Sequence, residues 1–294
     1  MSLPLHRLQA RMKRDLYLPI AFRVALKAGD VPWSSAIADP AAAAAALRRF
    51  QRLIQADGVV AWFDGWLEAE AAGARVRRDA FGVVAGTPAS PTRLPSVAGF
   101  TETPAIRHVL EITRLLCEAT REQSTVLGCL TGVRILTARL LGARPAPGVD
   151  VEPAAIEISG ALARAYCEAG VGALLIASEL PFPDPSVARH FSPLAEIARS
   201  FGVPLMLLTR HPMGPSVEAA LRAAGIDHVA APGGHGSVCA ISSTMLRAAP
   251  AASEGWFRLQ RDAKPAPRLF VSEWEVPVDA PVETLVALRE KVVA

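Results

Sequence analysis

Ala173-Leu174-Leu175-Ile176-Ala177-Ser178-Glu179 is the stretch that decides the fold: an apolar run without alternation that stops at a hydroxyl and a carboxylate. A strand with one wet face alternates, so an unbroken run reads as a parallel strand covered on both faces. The same pattern recurs on either side. Val59-Val60-Ala61-Trp62-Phe63 stops at Asp64, and Val203-Pro204-Leu205-Met206-Leu207-Leu208 stops at Thr209-Arg210-His211. Leu269-Phe270-Val271 stops at Ser272-Glu273.

Working outward, further strands are expected at Tyr17 to Phe22, Gly58 to Phe63, Ser124 to Leu130, Asp227 to Ala230, and Ser237 to Ile241, with the last beginning at Arg268. Helices fall between them. Asp39 caps and Pro40 opens an Ala-rich helix that runs through Ile54, because an Asp side chain satisfies free N–H groups and proline fits the first helical position. Other helices are expected over Ala105 to Thr120, Ile135 to Leu141, a segment ending at Gly170, Pro215 to Ala224 and Val282 to Val292, with Pro-rich connections over Pro88 to Pro104 and Ala143 to Pro153. Strands alternating with helices imply a parallel sheet, and about eight of them is the number in a (β/α)8 (TIM) barrel. The reading is one α/β domain over residues 1–294 with an N-terminal helical extension at about 1–15. In such a barrel the strand C-terminal ends converge on the active-site mouth. That places Asp64, Glu179, His211 and Glu273 together as candidate catalytic residues.

Composition narrows the partners. The net charge is +3, and no long basic run interleaves with aromatic residues, so a nucleic-acid partner is not expected. The basic N-terminal residues His6, Arg7, Arg11, Lys13 and Arg14 read as a solvated helix face rather than a membrane anchor. No apolar stretch reaches the roughly 18 residues of a spanning helix, nor is there a signal-peptide core. Cys117, Cys129, Cys167 and Cys239 are scattered, with no CxxC, and read as reduced thiols of a cytoplasmic protein. Pro232-Gly233-Gly234-His235-Gly236 lacks the order of a phosphate-binding fingerprint and reads as a loop. Trp33, Trp62 and Trp66 either line a pocket for a large ring or fill core.

Three segments carry a family resemblance. Asp57-Gly58-Val59-Val60-Ala61-Trp62-Phe63-Asp64 resembles the "DaaIlFsD" strand of the uroporphyrinogen decarboxylase superfamily. Gly132-Val133-Arg134-Ile135-Leu136-Thr137-Ala138-Arg139-Leu140-Leu141-Gly142 is similar to its "GPfTLAaqLlG" segment. Glu275-Val276-Pro277-Val278-Asp279-Ala280-Pro281-Val282-Glu283 resembles its terminal signature, Glu followed by Ile or Val, then P-x-D-T-P-x-E. The superfamily also contains zinc-dependent methyltransferases that work with corrinoids. The resemblance runs from about Tyr17 to Val292.

What it implies differs by branch. In the decarboxylases, arginines after the first strand bind substrate carboxylates; here Arg23 matches one, and Lys27 stands where the second would. Asp64 matches the aspartate that holds the pyrrole N–H groups. Arg139 replaces the family's tyrosine, and its late histidine falls at or beside Glu273. In the methyltransferases an H-x-C pair and a later cysteine bind zinc, which activates a thiol. Here those positions are His211-Pro212-Met213 and Trp274, so the histidine remains and both cysteines are gone. A harder site of His211 with Glu179, and with Glu273 beside them, is the zinc site left to expect. Arg210 is a candidate partner for Glu179, and Arg134 and Arg139 are candidate anion binders. Non-catalytic roles stand beside these: Asp64 as a helix cap, His211 as a hydrogen-bonded strand-end histidine, Arg23 and Lys27 as solvated side chains.

The leading expectation is a divergent member nearer the methyltransferase branch, transferring methyl groups with a corrinoid as co-substrate. A tetrapyrrole or other small ligand, a corrinoid-protein partner and a homodimer go with it. The alternatives are decarboxylation of a carboxylated tetrapyrrole, with Asp64 stabilising charge, and a catalytically degenerate barrel that binds a ligand or partner subunit.

Overall fold

The computed structural model describes residues 1–79, 82–88, 97–141, 151–182, 184–233, 237–248 and 268–293. Gly234, His235 and Gly236 of the glycine-rich loop, and parts of both Pro-rich connections, lie outside the described residues.

The strands are β1 (Leu16–Ile20), β2 (Gly58–Val60), β3 (Arg75–Asp79), β4 (Gly82–Thr87), β5 (Thr125–Thr131), β6 (Ala173–Ser178), β7 (Leu205–Thr209), β8 (His228–Ala230), β9 (Val238–Ile241) and β10 (Leu269–Glu275). Every strand expected from the apolar runs is present. They pair in parallel, with helices between them, in two hydrogen-bonded arcs of order β1-β10-β9 and β2-β5-β6-β7-β8. Across one gap the Asp57 N–H donates to the Tyr17 carbonyl at 2.8 Å, setting the start of β2 beside β1. β1, β5, β6 and β7 are buried along their whole length, which is why their sequences do not alternate. Among the described residues no helix is long and apolar enough to cross a membrane.

Local signals act as expected in the helices. Asp39 Oδ1 accepts the Ala42 N–H at 3.0 Å, and Gly170, at φ 94°, ends the helix Glu152–Ala169. The N-terminal helix Leu5–Met12 buries Leu5 and Leu8. Before it, the N–H groups of Ser2, Leu3 and Leu5 donate to the carbonyls of Gly170, Ser124 and Gly172. The N-terminal segment is thus stitched beneath the starts of β5 and β6.

Two features were not anticipated. β3 and β4 form an antiparallel hairpin after β2; the charged run Arg75-Val76-Arg77-Arg78 hides it. The second lies in β10. Leu18 is paired with Val271 and Ile20 with Glu275, so two steps along β1 match four along β10. This bulge carries β10 past Val271, where its apolar run ends, and turns both Trp274 and Glu275 to the cavity described below. Bulges re-aim side chains in this way and are over-represented beside active sites.

The stitching at the β6 start leaves no room for a side chain. A Cβ on Gly172 would lie within 3 Å of the Leu3 carbonyl and of Thr125 Oγ1, whereas at Gly214 nothing lies within 4 Å. Gly172→Ala is expected to lower unfolding free energy by about 1–3 kcal/mol, as overpacking does, and Gly214→Ala by less than about 0.5 kcal/mol. Urea denaturation of both variants checks this.

Candidate active site

At the C-terminal ends of β2, β5, β6, β7 and β10 lies a cavity of about 350 Å³. Asp64, Arg139, Glu179, Arg210, Trp274 and Glu275 are among its lining, and the hairpin covers one side with Gly82, Val83, Ala85 and Gly86. Its volume suits a small molecule.

Glu275 is the group that sequence reasoning missed. Its Oε1 accepts the Arg23 backbone N–H at 2.7 Å and its Oε2 accepts Arg23 Nε at 2.6 Å. The carboxyl side chain is 3% exposed. Burial pushes its pKa up to about 7, Arg23 pulls it down, and the nearby Asp64 carboxylate pushes it up further. Near neutral pH this carboxyl can therefore give or take a proton. The terminal signature begins at Glu275 and was the available signal; the bulge, invisible in sequence, gives it the place expected for Glu273. Glu273 is half-buried and does not line the cavity.

Asp64 lines the cavity, and it is not the helix cap expected of it, since the helix Leu67–Ala71 has no side-chain cap bond. Oδ1 accepts the Trp66 N–H at 2.9 Å, a turn-forming bond, and Oδ2 accepts Arg78 Nη2 at 2.9 Å. Arg78 also holds Glu70 with both guanidinium nitrogens, Nη1 to Oε1 at 2.7 Å and Nη2 to Oε2. Arg78 lies on β3, so this cluster pins the hairpin over the cavity. Its two carboxylates differ in exposure, with the Asp64 side chain 2% and the Glu70 side chain 29% exposed.

The other expected residues divide. Arg23, Arg139 and Glu179 line the cavity; Lys27, Arg134 and His211 do not. Lys27 Nζ donates to the Val278 carbonyl at 3.2 Å, and Arg134 Nη1 to the Pro181 carbonyl. Arg139 Nη2 meets Glu179 Oε2 at 3.1 Å, Nη1 donates to the Gly65 carbonyl, and the guanidinium lies 4.7 Å from the Trp66 ring centre. Glu179 is therefore paired with Arg139, not with Arg210 as expected. Arg210 instead stacks on Trp274 at 4.5 Å. Trp33 and Trp66 line the cavity, while Trp62 packs in the core against Phe22 and Trp33. Behind the wall the buried Glu68 accepts the Thr131 N–H at 2.6 Å and its hydroxyl at 2.7 Å. Burial pushes the Glu68 pKa up, and the Thr131 bonds oppose that.

The donors do not fit zinc. His211 Nε2 lies 2.9 Å from the main-chain oxygen of Glu179, whose carboxylate is turned to Arg139. Among the described residues, no three His, Cys, Asp or Glu side chains gather where a metal could bind. Cys129 lines the cavity, but burial, then Glu68, Glu275 and Asp64, raises its pKa well above the usual thiol value. It is a poor source of thiolate.

Glu275 also makes stability depend on pH. Between pH 4.5 and about 7 the folded protein holds a proton there that the unfolded chain has lost, so stability falls as pH rises through that window. Glu275→Gln removes the effect. The wild type is expected to lose roughly 3 kcal/mol relative to the variant between these pH values, from 1.36 kcal/mol per pKa unit. Paired denaturation curves at pH 4.5 and 7.5 measure the difference.

No family model matches the chain, and no curated protein does. Solved structures do. A methyltransferase from Methanosarcina mazei superposes with a TM-score of 0.78 at 17% identity, over 94% of this chain and 93% of that one. The apo form of the homocysteine methyltransferase MmuM from Escherichia coli gives a TM-score of 0.50 at 13% identity, over 97% and 98%. Identities this low speak for the fold alone. The chain shares the fold of these two solved structures over nearly its full length.

Proposed function

We propose that the chain is a methyltransferase-like enzyme of the uroporphyrinogen decarboxylase superfamily that works by proton donation from Glu275 rather than through zinc and thiolate. We read its two arcs as parts of one (β/α)8 barrel whose mouth is the cavity. The observation that carries the proposal is the buried carboxyl at the cavity wall, with a pKa pushed up to about 7. A small donor carrying its methyl group on oxygen or nitrogen binds in the cavity. As the carbon–heteroatom bond breaks, Glu275 gives its proton to the departing heteroatom. The methyl carbon forms a bond to the nucleophile of a second substrate, and solvent returns the proton to Glu275. A reduced corrinoid is a nucleophile of the required kind. The fold likeness to two methyltransferases supports the reading, and the buried cysteines fit a reducing compartment such as the cytoplasm.

Decarboxylation has less support, because Arg78 already neutralises the Asp64 charge that would have to stabilise a cationic ring. A non-catalytic, ligand-binding barrel is the second reading. One observation favours it: Asp64, Glu179 and Glu275 are each paired with an arginine of the chain itself.

The test is a methyl-transfer assay with reduced cobalamin and a set of small methoxy and methylamine compounds, followed by the visible spectrum of cobalamin. The wild type should methylate cobalamin from at least one donor. Glu275→Gln should lose about 10²–10⁴-fold in rate, the size of a general-acid contribution. His211→Ala should retain activity within about threefold, the spread of energetically minor changes. Transfer unaffected by Glu275→Gln contradicts the proposed role. No transfer from any donor, with donors still bound, supports the binding barrel.

A further inference from the structure

The pole opposite the cavity carries charge that the proposed chemistry does not use. Ser124 and Asp57 immediately precede β5 and β2, so they lie at the strand N-terminal ends. β5 runs from there to Thr131 on the cavity wall, about 20 Å away at 3.3 Å per residue.

Here Arg48, Gln51, Arg52, Asp57, Gln123 and Ser124 are among the residues that line a recess of about 680 Å³. Arg48 Nη1 donates to Gln51 Oε1, and Nη2 donates to Gln123 Oε1 at 3.1 Å. These bonds aim its guanidinium without neutralising it. Among the described residues neither Arg48 nor Arg52 is paired with a carboxylate. Asp57, the acid in the lining, is committed elsewhere: Arg14 holds both its oxygens, at 2.7 and 3.0 Å, and the Tyr17 N–H takes Oδ2 at 2.8 Å. Burial lowers the Arg48 pKa, and the positive charge of Arg52 lowers it further. The two cations, four residues apart on the helix Pro40–Leu53, thus repel one another.

We propose that this recess is an oxyanion site for a phosphate group, held by the Arg48 and Arg52 guanidiniums. A tetrahedral dianion neutralises both unpaired cations. Arginine forks suit phosphate because two N–H groups align with two of its oxygens. Free phosphate and the phosphoryl group of a small phosphomonoester share this chemistry.

The experiment is isothermal titration of the full chain with inorganic phosphate, and separately with phenyl phosphate, at constant ionic strength set with chloride. Saturable binding with one site per chain is expected. Arg52→Ala, which removes an exposed side chain, should weaken it at least about tenfold, equivalent to 1.4 kcal/mol. The melting temperature of this variant in phosphate-free buffer should be unchanged. Tighter binding of phenyl phosphate identifies the phosphomonoester as the ligand, and equal or weaker binding identifies free phosphate. No saturable binding of either probe by 10 mM, about 2.7 kcal/mol in standard terms, overturns the proposal. So does binding that Arg52→Ala leaves unchanged. Neither result bears on methyl transfer, which reads a different pole of the molecule.

Discussion

Arg23 and Glu275 are 252 positions apart, and the double hydrogen bond between them is the contact on which the site depends. It fastens the end of β10 to Arg23, three residues past the end of β1, joining the last strand to the first. A carboxylate as buried as Glu275 carries a large desolvation penalty unless it is bonded or neutral, and here it is bonded and also close to its protonation midpoint. Removing Arg23 would leave an acid with little reason to ionise. Removing Glu275 would free an arginine at the cavity wall. The bond therefore shapes the cavity and sets the chemistry of its most unusual group together.

Around that bond the site obeys one rule: each acid on the cavity wall is matched by an arginine. Asp64 is matched by Arg78, Glu179 by Arg139 and Glu275 by Arg23. Matching at short range keeps the cavity close to neutral in a region where uncompensated charge is expensive. It also fixes geometry, since Arg78 reaches Asp64 and Glu70 from β3 and so sets where the hairpin lies. Arg210, on Trp274, has no such acid among the described residues and remains exposed at the rim.

The strands were legible in sequence because burial on both faces leaves an unmistakable unbroken apolar run, as at Ala173 to Ala177. Asp64 and Glu179 were legible for the related reason that residues at the ends of such runs meet at one pole, whereas Arg23 and Arg139 were read only from the family resemblance. Three things were not. In the hairpin, Arg75–Asp79 is rich in charge and half exposed, and the apolar part of its partner Gly82–Thr87 is only three residues long between glycines, too short to announce a strand. Glu275 lies beyond the apolar run of its strand, and only the bulge opposite Leu18 and Ile20 returns it to the mouth. The partner of Glu179 could not be read either, because Arg139 and Arg210 are both near the mouth and only three-dimensional packing chooses between them. His211 shows the reverse error: it ends a strand as read, yet its ring turns to a main-chain carbonyl rather than into the cavity.

The account rests on Glu275 being protonatable near neutrality, and a titration of that carboxyl tests this directly. Carbon-13 NMR of protein labelled at the glutamate carboxyl carbon, with Glu275→Gln to assign the resonance, would follow it from pH 4 to 9. A midpoint near 7 is the expected result. A midpoint near the ordinary 4.5 would mean that Arg23 outweighs burial, leaving Glu275 a fixed structural anion and the cavity without its acid.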